Sequence, residues 1–356
     1  MEKPVRVPAE QNAEPVESPA ENAGVRRATG LSGFMARFHQ RGDGGFAARY
    51  ALVGVWVIVV VIYAIIEPSV MLTTGTFQTI FGSQQALVFL GMAAVVTFTV
   101  GEFDLSISAI LGLAATLVPV LIVQHGWNPI LASLAAAGAA AAVGLLNGLI
   151  VVRLGIDAII TTLGMSTLIL GITSGFSHSE AVSGLSNSFG SIANTVVVLG
   201  LPVTFFYGVA LALLIAYVLR FTPLGRNMTF VGANREVARL AGVRVARIRI
   251  GSYVVSGLLC GAGGVLLAAT VGGFDPNSSP TYLLPALSAT FLGTAVIKPG
   301  RFNPIGTMVA IYFLVTGIVG LQLLGYTGWT SDVFYGAALI TAVIVSTLTR
   351  RRTLGA

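Results

Sequence analysis

The chain has 356 residues, of which 55% are hydrophobic and only 10% are charged. Soluble domains carry about a quarter charged residues, so the composition excludes a soluble protein and predicts a polytopic membrane protein. The net charge of +6 does not indicate nucleic-acid binding, because the basic residues are scattered among short loops and tails as membrane topology requires. The single cysteine, Cys260, excludes a disulfide framework and any multi-cysteine metal site.

The first segment, residues 1–48, is rich in Pro, Glu, Ala and Gly and contains no apolar run. This composition predicts a disordered cytoplasmic tail. It does not predict a secretory signal, because no hydrophobic stretch precedes a small-residue cleavage site. Leu31, Phe34, Met35 and Phe38 are spaced for a short interfacial helix, and a solvated tail is an equal alternative for that piece.

Ten mostly apolar runs follow, enough to cross the roughly 30 Å of hydrocarbon as helices, the shorter ones with help from their flanking residues. They predict an all-α membrane domain over residues 49–352, with a short C-terminal tail at 353–356. The predicted spans are 50–66, 78–100, 105–123, 129–152, 156–176, 202–220, 249–271, 282–297, 304–324 and 332–349.

The basic residues fix the predicted orientation. If the chain starts in the cytoplasm, ten spans place all 20 Lys and Arg residues on one side. The positive-inside rule makes that side the cytoplasm, with both termini inside. The largest loop on the other side, about Ser177 to Leu201, can contact a substrate-delivering protein or serve as a plain connector, and the sequence leaves both open.

Polar residues interrupt the apolar runs at VGEFDLSIS, Val100 to Ser108, between the second and third spans. Acidic residues at a membrane edge are costly and are functional candidates, so Glu102 and Asp104 are candidates for the translocation path, with a local role in the helix hairpin as the alternative. Asp104 can also cap the following helix, and the two roles are compatible. 

A second break, IKPGRFNP, runs from Ile297 to Pro304. Pro299 and Gly300 stop a helix there, and paired interruptions in a transporter point to the pore region. Within the spans, Asn147, Thr161 and Thr162 can line a polar path or hydrogen-bond across helices in ordinary packing.

A basic island lies between the sixth and seventh spans, from Arg220 to Arg249, with seven arginines and one acid. Each arginine would cost roughly 2.5 to 3.5 kcal/mol inside a bilayer, so the island must lie in water. Within it, Asn234 is a good N-cap and Glu236 falls in the first turn, where the helix dipole favours a negative charge. Gly242 can end the helix in a left-handed conformation.

The predicted island helix therefore covers about residues 234–241. Val237 and Leu240 fall on one face, while Arg235 and Arg239 lie one turn apart on another. So short a helix is unstable alone and needs a partner surface, either lipid headgroups or another protein.

The segment GANREVARLAGVRV, followed by RIRIGSYVVSGLLCGAGGVLLAA, resembles the cytoplasmic coupling loop and next span of the ribose-type permeases of ATP-binding-cassette importers. The residues that match the family pattern are Gly232, Asn234, Ala238, Ala241 and Gly242. This resemblance favours a coupling helix that docks into an ATPase subunit.

The segment GEFDLSIS resembles the family's Gly-Gly-Ile-Asp-Leu-Ser-Val-Gly motif at Gly101, Asp104, Leu105 and Ser106. Glu102 departs from it, because the common pattern has a glycine there. Ser106 joins the candidates for the translocation path through this match. The resemblance covers about residues 75–350.

The resemblance implies a translocation subunit of the bacterial cytoplasmic membrane that imports a monosaccharide or related small polyol. It implies two copies of the chain, a separate ATPase that binds ATP and Mg, and an external solute-binding protein as partners. The same architecture also serves branched-chain amino acids, nucleosides or a signalling furanone. A different mechanism, a proton-coupled carrier that uses Glu102 or Asp104, stays open as an alternative.

Several kinds of chemistry have no counterpart in the sequence. No Gly-x-x-x-x-Gly-Lys-(Ser/Thr) phosphate loop occurs, so the chain is not expected to bind ATP itself. The three histidines, His39, His125 and His178, are far apart and predict no metal site. No nucleophile elbow or acid–base pair appears, and we predict a translocation subunit without catalytic residues or a cofactor of its own.

Overall fold

The computed structural model describes the backbone of residues 44–198, 200–326 and 328–353, and the side chains of 50–198, 200–326 and 328–344. Most of the predicted N-terminal tail, the interfacial helix proposed within it, and residues 354–356 lie outside the described residues. The first helix begins at Gly44, so residues 44–48 are helical and do not belong to a disordered tail.

The described chain is dominated by α-helices, and its four strands have two or three residues each. In chain order the helices are α1 Gly44–Ile66, α2 Pro68–Met71, α3 Thr74–Gly82, α4 Gln85–Thr99, α5 Ile107–Pro119, α6 Pro129–Arg153, α7 Ala158–Phe176, α8 Asn187–Asn194, α9 Val203–Phe221, α10 Pro223–Ala233, α11 Arg235–Leu240, α12 Val245–Val271, α13 Leu283–Leu292, α14 Pro304–Leu323 and α15 Trp329–Thr353. A π-helical turn, Val120–Gln124, continues α5, and 3₁₀ helices cover Pro276–Tyr282 and Gly293–Ala295. The strands are β1 Val182–Ser183, β2 Val196–Val198, β3 Leu201–Pro202 and β4 Gly273–Phe274.

Seven helices within the described residues are long and apolar enough to cross a membrane. This confirms the predicted all-α polytopic class. They are Thr74–Thr99, Ile107–Gln124, Pro129–Arg153, Ala158–Phe176, Val203–Phe221, Val245–Val271 and Pro304–Leu323. The described apolar parts of α1 and α15 are shorter, Tyr50–Ile66 and Trp329–Ile344, and the count of ten spans stays a prediction.

The predicted eighth span, 282–297, is not a continuous helix. Its α-helical part, α13, has ten residues and is about 15 Å long, half of the hydrocarbon thickness. The residues before it form the 3₁₀ helix Pro276–Tyr282, where Pro280 lacks the N–H donor that the interior of an α-helix requires. The α-helix stops at Leu292, and a 3₁₀ turn, Gly293–Ala295, follows it. The 3₁₀ helix and α13 together form a discontinuous element in place of the predicted continuous span.

The loops gather at two ends of the transmembrane unit. At one end, which we call the island end, the loop after α4 meets the loop before α14, since the ring centroids of Phe98 and Phe302 are 5.2 Å apart and those of Phe103 and Phe291 are 6.2 Å apart. At the opposite end, β1 pairs antiparallel with β4. The assignment of the island end to the cytoplasm stays a prediction.

The centre of the unit is α12, which packs against α4, α5 and α6. Glycines allow these helices to approach closely. A Cβ atom at Gly257 would collide with the backbone oxygen of Ala140 on α6, and one at Gly264 would collide with the oxygen of Leu111 on α5. Membrane helices use small residues in this way because lipid provides no hydrophobic force to drive helices together.

We expect Gly257→Ala to lower the stability of the fold by about 1–3 kcal/mol, because the added methyl group forces α6 and α12 apart. The measurement is thermal unfolding of the purified chain in detergent. Gly251→Ala, on the same helix, is the matched control, since nothing lies within 4 Å of a Cβ there. A helix gains up to about 1 kcal/mol when alanine replaces glycine, so equal losses in the two variants would contradict the close-packing argument.

Candidate coupling site and the polar cluster behind it

The island helix forms as α11, six residues long and shorter than the predicted 234–241. Asn234 caps it as predicted, because its Oδ1 atom accepts hydrogen bonds from the backbone N–H groups of Glu236, at 3.0 Å, and Val237, at 3.1 Å. The helix ends where Gly242 adopts a φ of 81°, in the left-handed region that favours glycine. The N–H of Val243 then returns to the oxygen of Ala238 and closes the last turn.

One face of α11 is open to its surroundings. Leu240 is 84% exposed and Val237 is 48% exposed, whereas Ala238 is completely buried against the rest of the chain. Arg239 and Glu236 form an exposed ion pair at 2.8 Å. A short helix that buries one small residue and exposes a leucine presents a contact surface.

The other side of α11 is fixed by a buried carboxylate. Glu102, in the loop after α4, is only 1% exposed. Its Oε1 atom accepts a hydrogen bond from Arg235 Nη2 at 2.8 Å and another from Arg249 Nε. Its Oε2 atom accepts one from the Tyr253 hydroxyl at 3.2 Å. We call these four residues the Glu102 cluster.

The same loop also touches α10 through backbone atoms. A Cβ atom at Gly232 would collide with the oxygen of Thr99, so only glycine fits there. Gly101 has a φ of 81°, and its oxygen accepts a second hydrogen bond from Arg235 Nη2 at 2.8 Å. The family-like glycines at 101 and 232 therefore allow the loop and the island to meet.

A second polar group lies deeper, around Asp104, which is completely buried. Asp104 Oδ1 accepts hydrogen bonds from the N–H of Ser106, at 3.0 Å, and its hydroxyl, at 2.6 Å, while Oδ2 accepts one from the Ser256 hydroxyl at 3.2 Å. Asn147 Nδ2 donates to the Ser106 hydroxyl at 2.8 Å. Burial raises the pKa of the Asp104 carboxyl above its ordinary value, and the hydrogen bonds from the two serines offset part of that rise.

The predicted path residues are thus brought together only in part. Thr162 is buried and joins the Asp104 group, because its hydroxyl accepts a hydrogen bond from the Leu105 N–H at 3.1 Å. Thr161 stays apart, and its hydroxyl donates to the oxygen of Asp157 at 2.8 Å. The predicted role of these residues in translocation stays a prediction.

Sequence reasoning did not single out Arg249, Tyr253 and Ser256 as partners of the two acids. Their spacing carries the signal. The three residues follow one another at four and three positions along α12, which places them on one helix face. A polar stripe on an otherwise apolar helix must be matched by polar groups on a neighbouring helix or loop. The spacing alone does not show that these groups are Glu102 and Asp104, because about 150 positions separate them from the stripe.

A family model and several relatives match the chain. The family model described as "Branched-chain amino acid transport system / permease component" matches residues 76–343, three-quarters of the chain. The chain belongs to this family. The permease is a transport component rather than an enzyme, and its apolar helices make it a multi-pass membrane protein.

Three relatives confirm the resemblance to ribose-type import permeases. The ribose import permease protein of Bacillus subtilis is 28% identical over 81% of this chain and 89% of its own length. The autoinducer 2 import system permease protein of Salmonella typhimurium is 30% identical over 77% and 78%. The fructose import permease protein of Rhizobium meliloti is 28% identical over 77% and 78%. No solved structure matches the chain.

We expect Glu102→Gln to destabilise the permease by about 3 kcal/mol, because it leaves Arg249, whose side chain is only 16% exposed, without its counter-charge. Thermal unfolding in detergent measures this loss. Arg235→Gln is the control, since its side chain is 45% exposed and such pairs contribute under about 1 kcal/mol. A Glu102→Gln variant as stable as the native chain would show that the cluster does not hold the loop in place.

Proposed function

We propose that the permease is the membrane subunit of an ATP-driven importer that takes up a monosaccharide or related small polyol from an external binding protein. The observation that carries this proposal is the design of α11. It presents Leu240 and Val237 outward while Arg235 and Ala238 attach it to the membrane domain. A helix held on one side and apolar on the other suits a cleft in a second protein.

The second protein in this proposal is a separate ATPase that binds ATP and Mg. It grips α11 from the island end, which faces the cytoplasm of a bacterial cell with both termini. Two copies of the permease, each with about ten spans, form the pore between them. Closure of the ATPase pair changes the separation of the two α11 helices and switches access to the pore, and the free energy comes from nucleotide binding rather than from the permease.

The solute class follows from the relatives, whose names include ribose and fructose. Two alternatives have an observation in their favour. The family description names branched-chain amino acids, and several relatives import autoinducer 2. A proton-coupled carrier has less support, because Glu102 is ion-paired with two arginines and Asp104 receives three hydrogen bonds.

The experiment that tests the proposal is co-purification of the tagged permease with candidate ATPase subunits, followed by ATP-dependent uptake of ribose and fructose into vesicles. We expect Leu240→Glu to abolish both ATPase binding and uptake, because it places a charge in the apolar contact. Membrane insertion should be unchanged, since Leu240 makes almost no contact with the rest of the chain.

Leu154→Glu is the matched control, because Leu154 is also exposed, at 70%, and follows α6 in a loop that approaches Glu102. It should retain ATPase binding and uptake. Native-level uptake by Leu240→Glu would remove the coupling role of α11. Uptake driven by a proton gradient without any ATPase would overturn the proposed importer as a whole.

A further inference from the structure

Several polar side chains of the 3₁₀ helix before α13 are exposed, whereas the carboxylates of Glu102 and Asp104 are buried. Asn277, Pro280, Thr281 and Leu284 are all open to their surroundings, with Ser278 partly so. Asn277 and Pro280 lie three residues apart, one turn of a 3₁₀ helix, and Thr281 and Leu284 lie three apart where the 3₁₀ helix runs into α13. We call the exposed side of this element the 277–284 face.

This face lies within the depth of the membrane domain. Ser279, in the middle of the 3₁₀ helix, packs against Gly112, where a Cβ atom would collide with its side chain. Gly112 is the sixth residue of the membrane-length helix Ile107–Gln124, and 12 residues separate it from the end of that helix, about 18 Å. The 3₁₀ helix therefore descends from β4, at the opposite end, well into the span.

Lipid cannot be what covers this face. Non-helical backbone and polar side chains occur at membrane depth only where protein buries them or where they line a water-filled cavity. Other polar residues of this region satisfy that rule by burial, since Ser279 is 1% exposed and Ser288 is completely buried. Asn277 and Thr281 are on the side that this chain leaves uncovered, and a water-filled cavity satisfies the rule for them.

The chemistry of the face is specific. Its polar groups are an amide and hydroxyls. Its one acid, Asp275, precedes the 3₁₀ helix and caps it through the Asn277 N–H at 2.9 Å, and the same Oδ1 atom accepts a hydrogen bond from Asn277 Nδ2 at 3.2 Å. The Thr281 hydroxyl donates to the Ser278 oxygen at 2.7 Å and keeps its lone pairs free to accept. Neutral donors and acceptors without paired charges suit a hydroxyl-rich neutral solute better than an amino acid zwitterion.

We propose that the 277–284 face lines the translocation path and that Asn277 and Thr281 contact a neutral, hydroxyl-rich solute as it passes. This inference rests on the proposed import function and adds the residues that meet the solute. The face ends at Leu284, because residues 285–290 are buried, so the solute-lined part of the path lies between mid-depth and the opposite end.

The test uses thiol reactivity in the assembled transporter in vesicles. The chain's single cysteine, Cys260, is completely buried, so the native permease provides a quiet background. We expect Thr281→Cys to react with a hydrophilic maleimide at least tenfold faster than Leu213→Cys, because a thiol ionises in water and not in lipid. Leu213 is a matched control, 55% exposed and near the middle of α9.

A second pair of variants tests contact with the solute. Thr281→Val should raise the KM for ribose or fructose about tenfold through loss of one hydrogen bond. Thr281→Ser keeps the hydroxyl and should restore the KM to within twofold. An unchanged KM in Thr281→Val would overturn the assignment of Thr281 as a solute contact.

Two labelling results would overturn the path itself. One is a Thr281→Cys rate equal to that of Leu213→Cys. The other is a spontaneous disulfide between two copies at position 281, which would show a packed interface. If either result occurs while the transporter keeps native ATP-dependent uptake, only this inference is overturned. If the native transporter shows no ATP-dependent uptake, the proposed function itself is overturned.

Discussion

The buried carboxylate of Glu102 is the constraint around which the island end is built. An ionised carboxylate that leaves water must be paired and hydrogen-bonded, and here two arginines and a tyrosine satisfy both of its oxygens. Arg235 is the first residue of α11, and Arg249 is the fifth residue of α12. One interaction therefore fixes the start of α11, the start of α12 and the loop after α4 relative to one another.

That loop also connects the island to the proposed path. Phe103 follows Glu102 directly and stacks near Phe291, the penultimate residue of α13, with ring centroids 6.2 Å apart. Phe98 and Phe302 complete the aromatic group, at 4.8 Å from Phe103 and 5.6 Å from Phe291 respectively. The 277–284 face begins at the other end of the same broken element. Contacts therefore run from α11 through Glu102, Phe103 and Phe291 to the element that carries the 277–284 face. Coupling between the two sites requires such a continuous set of contacts.

The sequence predicted what depends on local chemistry. Asn234 as a cap, Gly242 as a left-handed end and the apolar runs all follow from short-range rules. The pairing of Glu102 with Arg249 was not predictable, because it joins residues 147 positions apart through helix packing. The shortness of α13 was missed for a related reason: residues 282–297 have the hydropathy of a span, yet the α-helix stops at Leu292 and a 3₁₀ turn follows at Gly293–Ala295.

Contacts with the rest of the chain explain how a helix as short as α11 keeps its conformation. An isolated helix of six residues is unstable in water and would not keep Leu240 in a fixed position. In the permease, Arg235, the first residue of α11, is bonded to Glu102. Gly232, just before the helix, contacts the backbone of Thr99, and Ala238 is buried against the rest of the chain. These contacts connect α11 directly to the loop after α4, so the helix and the loop are expected to move together. The exposed pair of Arg239 and Glu236 stabilises the exposed side only weakly, which leaves that side free to adapt to a partner.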